Sequence, residues 1–264
     1  MTTQEEQEIL FNALAKHNIH RYDASKKLYK YVSVKTAKLI LGNGSLKFST
    51  PKELDDNDFE LALLSNPPIE MRKKIIAFYF KKDNPNATEK DVNKYLNDGE
   101  GKKRILNDYC LRMVRNSYGI LREKYAIFCA TTSPNNSEMW NKEKYGDSGK
   151  GVCIEYHLPL FTSNYYTLKV FYDKEFKPFG TYNKAGQLNE VSVQRWYFTK
   201  KFKYEFEDEV RVFTDKGSGL GLFKKEVFIG IFYGEHTSDP DILALELLLK
   251  NGGYSFDKGV KAEY

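Results

Sequence analysis

The chain opens on polar positions interrupted at helical intervals: Ile9, Leu10, Ala13 and Leu14 share one stripe of residues 3–17, behind Thr3 as a capping residue and three nearby glutamates. A short leading helix is predicted. KKLYKYVS then reads as a strand over about residues 27–33, VKTAKLILGNG as a helix closed by Gly42 or Gly44, and SLKFS as a second short strand. After Pro51 the acid-rich stretch ELDDNDFE leads into a helical middle. Segments at about 68–82, 87–97 and 101–122 carry helical periodicity, punctuated by Pro67, Pro68, Pro85 and Gly99.

From residue 124 the pattern changes. KYAIFCATT, KGVCIEYH, NYYTLKVFYD, EDEVRVFTD and KKEVFIGIFYGE are rich in Val, Ile, Phe and Tyr and read as strands, with QLNEVSVQRWYFTKK as a helix between the third and the fourth. DPDILALELLLKNGG predicts one more helix, capped by Asp239 with Pro240 at its first position, and a last strand ends near Tyr264. Neither an internal repeat nor an interdomain linker interrupts the order. The pattern predicts an α+β fold, one domain over residues 1–264, with a mixed or mainly antiparallel central sheet, flanking helices and an inserted helical segment at about 65–122.

Composition narrows the class. A chain of 264 residues can bury a sizeable core, and 19 Tyr with 18 Phe mark a folding sequence rather than a disordered one. Lys and Arg number 41 against 36 Asp and Glu, a net charge of +5, and no basic run resembles a nucleic-acid arm. This charge permits an anionic ligand without requiring one. Cys110, Cys129 and Cys153 are odd in number and widely spaced, which reads as buried free thiols in a reducing cytoplasm. His17, His20, His157 and His236 show no ligand spacing, so no metal is expected. The polar start MTTQEEQEIL is not a secretory signal, and no apolar run reaches the ~18 residues of a spanning helix. A cytoplasmic protein with no membrane partner is expected.

Candidate chemistry gathers in four places. LYKYVS puts Tyr29, Tyr31 and Ser33 on one strand face and Lys30 on the other, and Tyr31 offers a ligand both a ring and a hydroxyl. STPKELDDNDFE holds Asp55, Asp56 and Asp58, oxygen donors suited to Mg²⁺ or Ca²⁺, although helix capping uses such residues too. TTSPNNSEMWNKEKYGDSGKGVCIEY carries Trp140 and Tyr145 before a Gly-rich turn, a wall for a planar ligand at a strand end. In EFEDEVRVF, strand parity puts Glu205, Glu207, Glu209 and Arg211 on one side. That face is either a solvated strand surface or a site.

From residue 28 onward these segments resemble the bacterial domain-of-unknown-function 2971 family. The likeness rests on LYKY at 28–31, LKFSTP at 46–51, MWNKEKY at 139–145, KGVCIEY at 150–156 and EVFIG at 226–230. It rests also on KKFKYEFEDEVR, where Lys200 or Lys201, Glu207, Glu209 and Arg211 fill a K…W-x-x-E-x-E-x-R signature with Tyr204 in the Trp place. LDDNDFE stands where the family has an aromatic-Asn-Asp-Pro-aromatic-Glu block, with Leu54, Asp55 and Asp56 in its early places and one residue extra. Trp140 and Tyr145 are two residues further apart than in the family.

The motif order is also similar to that of ADP-ribosyltransferases. This resemblance implies Glu209 as the catalytic carboxylate on the nicotinamide ribose 2′-hydroxyl of NAD and Glu207 as the group that orients the acceptor. It implies Tyr31, Thr132 and Ser133, with Ser49 at the end of LKFS, as the lining of the NAD site. Lys30, Lys200 and Arg211 would neutralise the pyrophosphate, and Trp140 or Tyr145 would stack on a ring. The chain departs from those enzymes at the opening His or Arg, where it has Lys30 and Tyr31. Three readings stay open. The first is a nucleotide-binding protein that transfers ADP-ribose from NAD to a protein or nucleic-acid acceptor, or to water. The second is a metal-dependent nuclease or phosphoesterase built on Asp55, Asp56, Asp58 and Glu207. The third is a non-enzymatic regulatory or binding module.

Overall fold

A computed structural model describes residues 4–23, 26–54, 67–157, 166–175, 182, 184, 186 and 190–264. The chain divides into two units. A helical unit takes Met1–His17, Asp56–Arg122 and Glu175–Tyr197, and a sheet unit takes Asn18–Asp55, Glu123–Lys174 and Phe198–Tyr264.

The helical unit contains α1 (Gln4–Ala15), α3 (Ile69–Asp83), α4 (Glu89–Asn97), α5 (Gly99–Leu106) and most of α6 (Tyr109–Lys124) and α9 (Glu190–Phe198). Ile75, Ile76, Ile105, Cys110 and Tyr182 form its buried cluster. Thr88 opens α4 with a capping box, its hydroxyl accepting from the Asp91 N–H while the Asp91 carboxylate accepts from the Thr88 N–H. The single helix expected over 101–122 is two helices. The Asn107 side chain accepts the Tyr109 N–H at 2.8 Å, ending α5 and starting α6.

The sheet unit is built on seven strands in the order β11-β10-β4-β1-β3-β8-β5. These are β1 (Lys27–Val32), β3 (Ala126–Thr131), β4 (Val152–His157), β5 (Tyr166–Lys169), β8 (Glu209–Thr214), β10 (Phe228–Tyr233) and β11 (Val260–Lys261). Neighbours run antiparallel except β10 and β11, and the fold is α+β. Two small ribbons accompany the sheet: β2 (Ser45–Phe48) pairs β9 (Gly219–Leu222), and β6 (Phe171–Asp173) runs parallel to β7 (Thr199–Lys201).

Strand parity separates two faces. Leu28, Val32, Phe128, Ile154, Tyr156, Val210 and Val212 form an apolar face in one cluster with residues of α2 (Val34–Asn43) and α10 (Asp239–Gly252). Ser33 caps α2, and Gly44 closes it in the left-handed conformation, φ 59°. Ser238, rather than the expected Asp239, caps α10, because its hydroxyl takes the Asp241 N–H and leaves Asp239 in the first turn. The opposite face carries Tyr29, Tyr31, Thr131, Cys153, Glu155, Glu209 and Arg211 in paired register. Tyr31 and Cys153 pack there with Met139 and Trp140 of α7 (Ser137–Asn141). Among the described residues no helix is long and apolar enough to cross a membrane.

Candidate functional site

EFEDEVRVF is not one strand. Phe202–Glu207 forms a 3₁₀ turn, Asp208 sits in the left-handed region at φ 41°, and β8 begins only at Glu209. The Asp208 N–H closes the turn on the Glu205 carbonyl at 3.1 Å. Glu205 is therefore exposed, while Glu207 and Glu209 reach the same cation by different paths. Asp208 tolerates the unusual φ because short polar side chains visit that region at low cost. Its carboxylate accepts from the Thr132 hydroxyl and pairs with Lys169 at 2.7 Å.

Lys200 is the hub. Its ammonium donates to Glu207 Oε2 at 2.6 Å and to Glu209 Oε2 at 3.4 Å, and lies 4.7 Å from the centre of the Tyr204 ring. Arg211 grips Glu209 with two bonds, Nε to Oε1 at 2.8 Å and Nη2 to Oε2 at 3.1 Å. Tyr145, on α8 (Glu143–Gly146), donates its hydroxyl to Glu207 Oε1. The four charged groups are almost wholly enclosed, with exposures of 4% for Lys200, 4% for Glu207, 5% for Glu209 and 2% for Arg211. Among the described residues two cations face two carboxylates, the pairing that buried charge requires.

The two carboxylates differ in environment. Burial pushes the Glu209 carboxyl up, but Arg211, then Lys200, together with hydrogen bonds from Arg211 and Cys129, more than offset this and hold it far below the ordinary range. Glu207 goes the other way. Burial and then the charge of Glu209 raise it, against Lys200 and Tyr145. The site therefore holds one firmly ionised carboxylate beside one that retains a proton more readily.

No family model, curated protein or solved structure matches the chain.

Across the sheet, Tyr29 pairs Thr131 and Thr131 pairs Glu209, so the end of the TTS strand lies beside the first residue of β8. The Tyr31 hydroxyl donates to the Ser133 carbonyl and accepts the Asn136 N–H, both at 3.1 Å, holding the turn after β3 over this face. Thus Tyr31, Thr132, Ser133, Tyr145, Lys200, Glu207, Glu209 and Arg211, scattered along the sequence, gather at one end of β1, β3 and β8. Three other candidates do not join them. Lys30 lies on the apolar face, 4.9 Å from the Phe128 ring centre, and donates to the Cys129 carbonyl at 2.6 Å. Ser49 bridges Ile127, four residues back along β3, or about 13 Å at the strand rise. Trp140 has 0% exposure, its ring against Tyr31 and Tyr264 and its N–H on the Pro134 carbonyl, which leaves the indole no surface for a ligand.

The structure adds residues that the sequence pattern did not single out. The Tyr172 hydroxyl accepts the Glu209 N–H at 2.7 Å, and burial followed by the Glu209 charge raises its own ionisation. Thr131 Oγ1 is buried beside Glu209 with no hydrogen-bond partner among the described residues. Strand register would have pointed to Thr131, since TT ends β3; no local signal marks Tyr172. Asp55, Asp56 and Asp58 lie outside the described residues. Among the described residues no group of three or more His, Cys, Asp or Glu could hold a metal ion.

Proposed function

We propose that the sheet unit binds a nucleotide-like ligand at this end of β1, β3 and β8 and cleaves the nicotinamide glycosidic bond of NAD. The observation that carries the reading is the pair of adjacent carboxylates driven in opposite directions, Glu209 ionised and Glu207 raised, at the strand end where the Thr131 hydroxyl has no partner among the described residues. Paired carboxyl groups with separated pKa values divide acid, base and electrostatic work. As the C–N bond breaks, positive charge grows on the ribose, and an ionised Glu209 favours that state over the ground state. Glu207 is suited to exchange a proton with the acceptor, whether water, protein or nucleic acid. The Arg211 bonds hold the Glu209 carboxylate in place. The 3.4 Å contact from Lys200 is the longest of these ion contacts and the one a ribose hydroxyl would displace.

A second reading draws on the burial of the same four groups. A charge-balanced, enclosed network can simply lock β7 and the 3₁₀ turn to β8, in a unit that binds or regulates without turnover. Incubation with NAD separates the two. The enzyme reading expects nicotinamide release from the wild-type chain and a fall of about 100-fold in folded Glu209→Gln, the scale of losing one preorganised electrostatic group. No release by the wild type, or release untouched by the substitution, rejects it. Transfer of labelled ADP-ribose to cell protein or nucleic acid identifies the acceptor.

A further inference from the structure

The helical unit carries a cavity that the NAD reading does not use. A cavity of about 270 Å³ is lined by Ile76, Tyr79, Phe80 and Asp83 of α3, Asn84 after it, Tyr95 of α4, Arg104 of α5 and Tyr109 of α6. Phe80 and Tyr95 stack at 4.2 Å and 16°, and the Arg104 guanidinium lies 4.7 Å from the Tyr109 ring centre. Gly101 makes this arrangement possible: a Cβ there would stand 2.0 Å from the Tyr95 carbonyl, so only glycine lets α5 approach α4 and present Arg104 beside Tyr95.

The Asn84 amide nitrogen donates to the Phe80 carbonyl at 2.9 Å, which leaves Arg104 and Asp83 as the uncommitted charged groups of the cavity among the described residues. No described acceptor takes the Arg104 N–H groups, and no described cation pairs with Asp83 at the exposed rim. Residues 67–122 hold 13 Lys and Arg against 7 Asp and Glu, while the other segments of the helical unit hold 4 against 8. The basic excess of the unit is therefore confined to the stretch that carries the lining helices. Lys82, Lys90 and Lys102, on or beside the lining helices, are exposed and form no ion pair with a described carboxylate.

From these observations we infer that the helical unit binds single-stranded nucleic acid, one base entering the cavity between α3, α4, α5 and α6 while the backbone phosphates follow the lysines. Aromatic rings with a stacked guanidinium provide a face for any base, and the lysines provide the electrostatic attraction. Asp83 and Asn84 offer acceptors to the N–H groups on a base edge. A cationic ligand is disfavoured by Arg104 and the neighbouring lysines. An acidic peptide would satisfy the lysines but leave the stacking rings unused. The inference rests on the helical unit alone, and nicotinamide release measured on the same sample scores the NAD reading separately.

The test is fluorescence anisotropy of the full chain with labelled single-stranded DNA and RNA of about 12 nucleotides, at about 50 and 200 mM salt. Binding is expected to weaken at least about tenfold between the two salt concentrations. Arg104→Gln and Tyr79→Leu should each weaken it about tenfold at the lower salt. Arg104→Lys, which keeps the charge but loses the planar stack, should weaken binding with the salt dependence unchanged. Circular dichroism establishes that each variant is folded. Three results would overturn the inference: no binding by the folded wild type at low salt, folded variants that bind as the wild type does, or equal affinity for a poly-glutamate peptide. A mononucleotide bound as tightly as the strand would also overturn it, since the lysines would then contact no backbone.

Discussion

Removing a partner from a buried ion pair costs more than the pair is worth, because the remaining charge stays enclosed. Glu209→Gln leaves Arg211 without its two-bond partner and should lower unfolding stability by about 3–5 kcal/mol in denaturant titrations. The neighbouring glutamate behaves differently. The folded carboxyl of Glu209 is depressed, so its contribution is present above the ordinary glutamate range and is lost as pH falls towards the depressed value. The folded carboxyl of Glu207 is raised, so its contribution is present below the ordinary range and is lost as pH rises through the raised value. Glu207→Gln should therefore lose less stability than the wild type between about pH 4 and pH 8, read as the shift of the urea midpoint. A larger loss in the variant would show that Glu207 is held ionised.

At the scale of elements, the left-handed Asp208 converts a 3₁₀ turn into a strand and sets the geometry of both carboxylates. Asp208→Val places a β-branched residue at φ 41° and removes the partner of Thr132 and Lys169. A destabilisation of about 1–3 kcal/mol is expected, with Asp208→Gly costing less. Equal losses in the two variants would assign the cost to the lost contacts rather than to the backbone. This turn also marks where the sequence misleads. Period-two alternation over 205–213 is the same whether the chain is straight or coiled at its start, and only the backbone reversal at 208 decides which glutamates turn inward. The remaining elements were more legible. The strand at 27–33, the helix closed by Gly44 and the helix at 87–97 follow from alternation, capping Ser33 and Thr88, and a terminal glycine. β9 has no local sequence signal, because GLGL carries neither β-branched nor aromatic residues and is defined only by its pairing with β2.

For the molecule as a whole, the α+β class and the mainly antiparallel sheet were readable from the change of period near residue 124. The row of residues from Tyr29 through Thr131 to Glu209 was not, since strand order and register are long-range properties. The sequence nonetheless indicated Glu207, Glu209 and Arg211 with Lys200 or Lys201 as one group, and it is Lys200 that meets the two glutamates. Trp140 failed as a ligand wall for a reason local sequence does not contain, the packing of Tyr31 and Tyr264 against it. Thiol chemistry offers a check on the whole fold. All three cysteines are free; burial, then the Glu209 charge, raises Cys129 to about 12, and burial raises Cys110 and Cys153 as well. A thiol reagent at neutral pH should therefore label the native chain slowly and all three sites rapidly after unfolding. Rapid native labelling of Cys129 would mean that the Glu209 and Arg211 cluster is open. The most direct test is a pH titration of the ¹³C carboxyl resonances of Glu207 and Glu209 in the intact chain. Glu209 should stay ionised well below the ordinary glutamate range while Glu207 titrates above it; a shared transition within the ordinary range would contradict the division of roles between them.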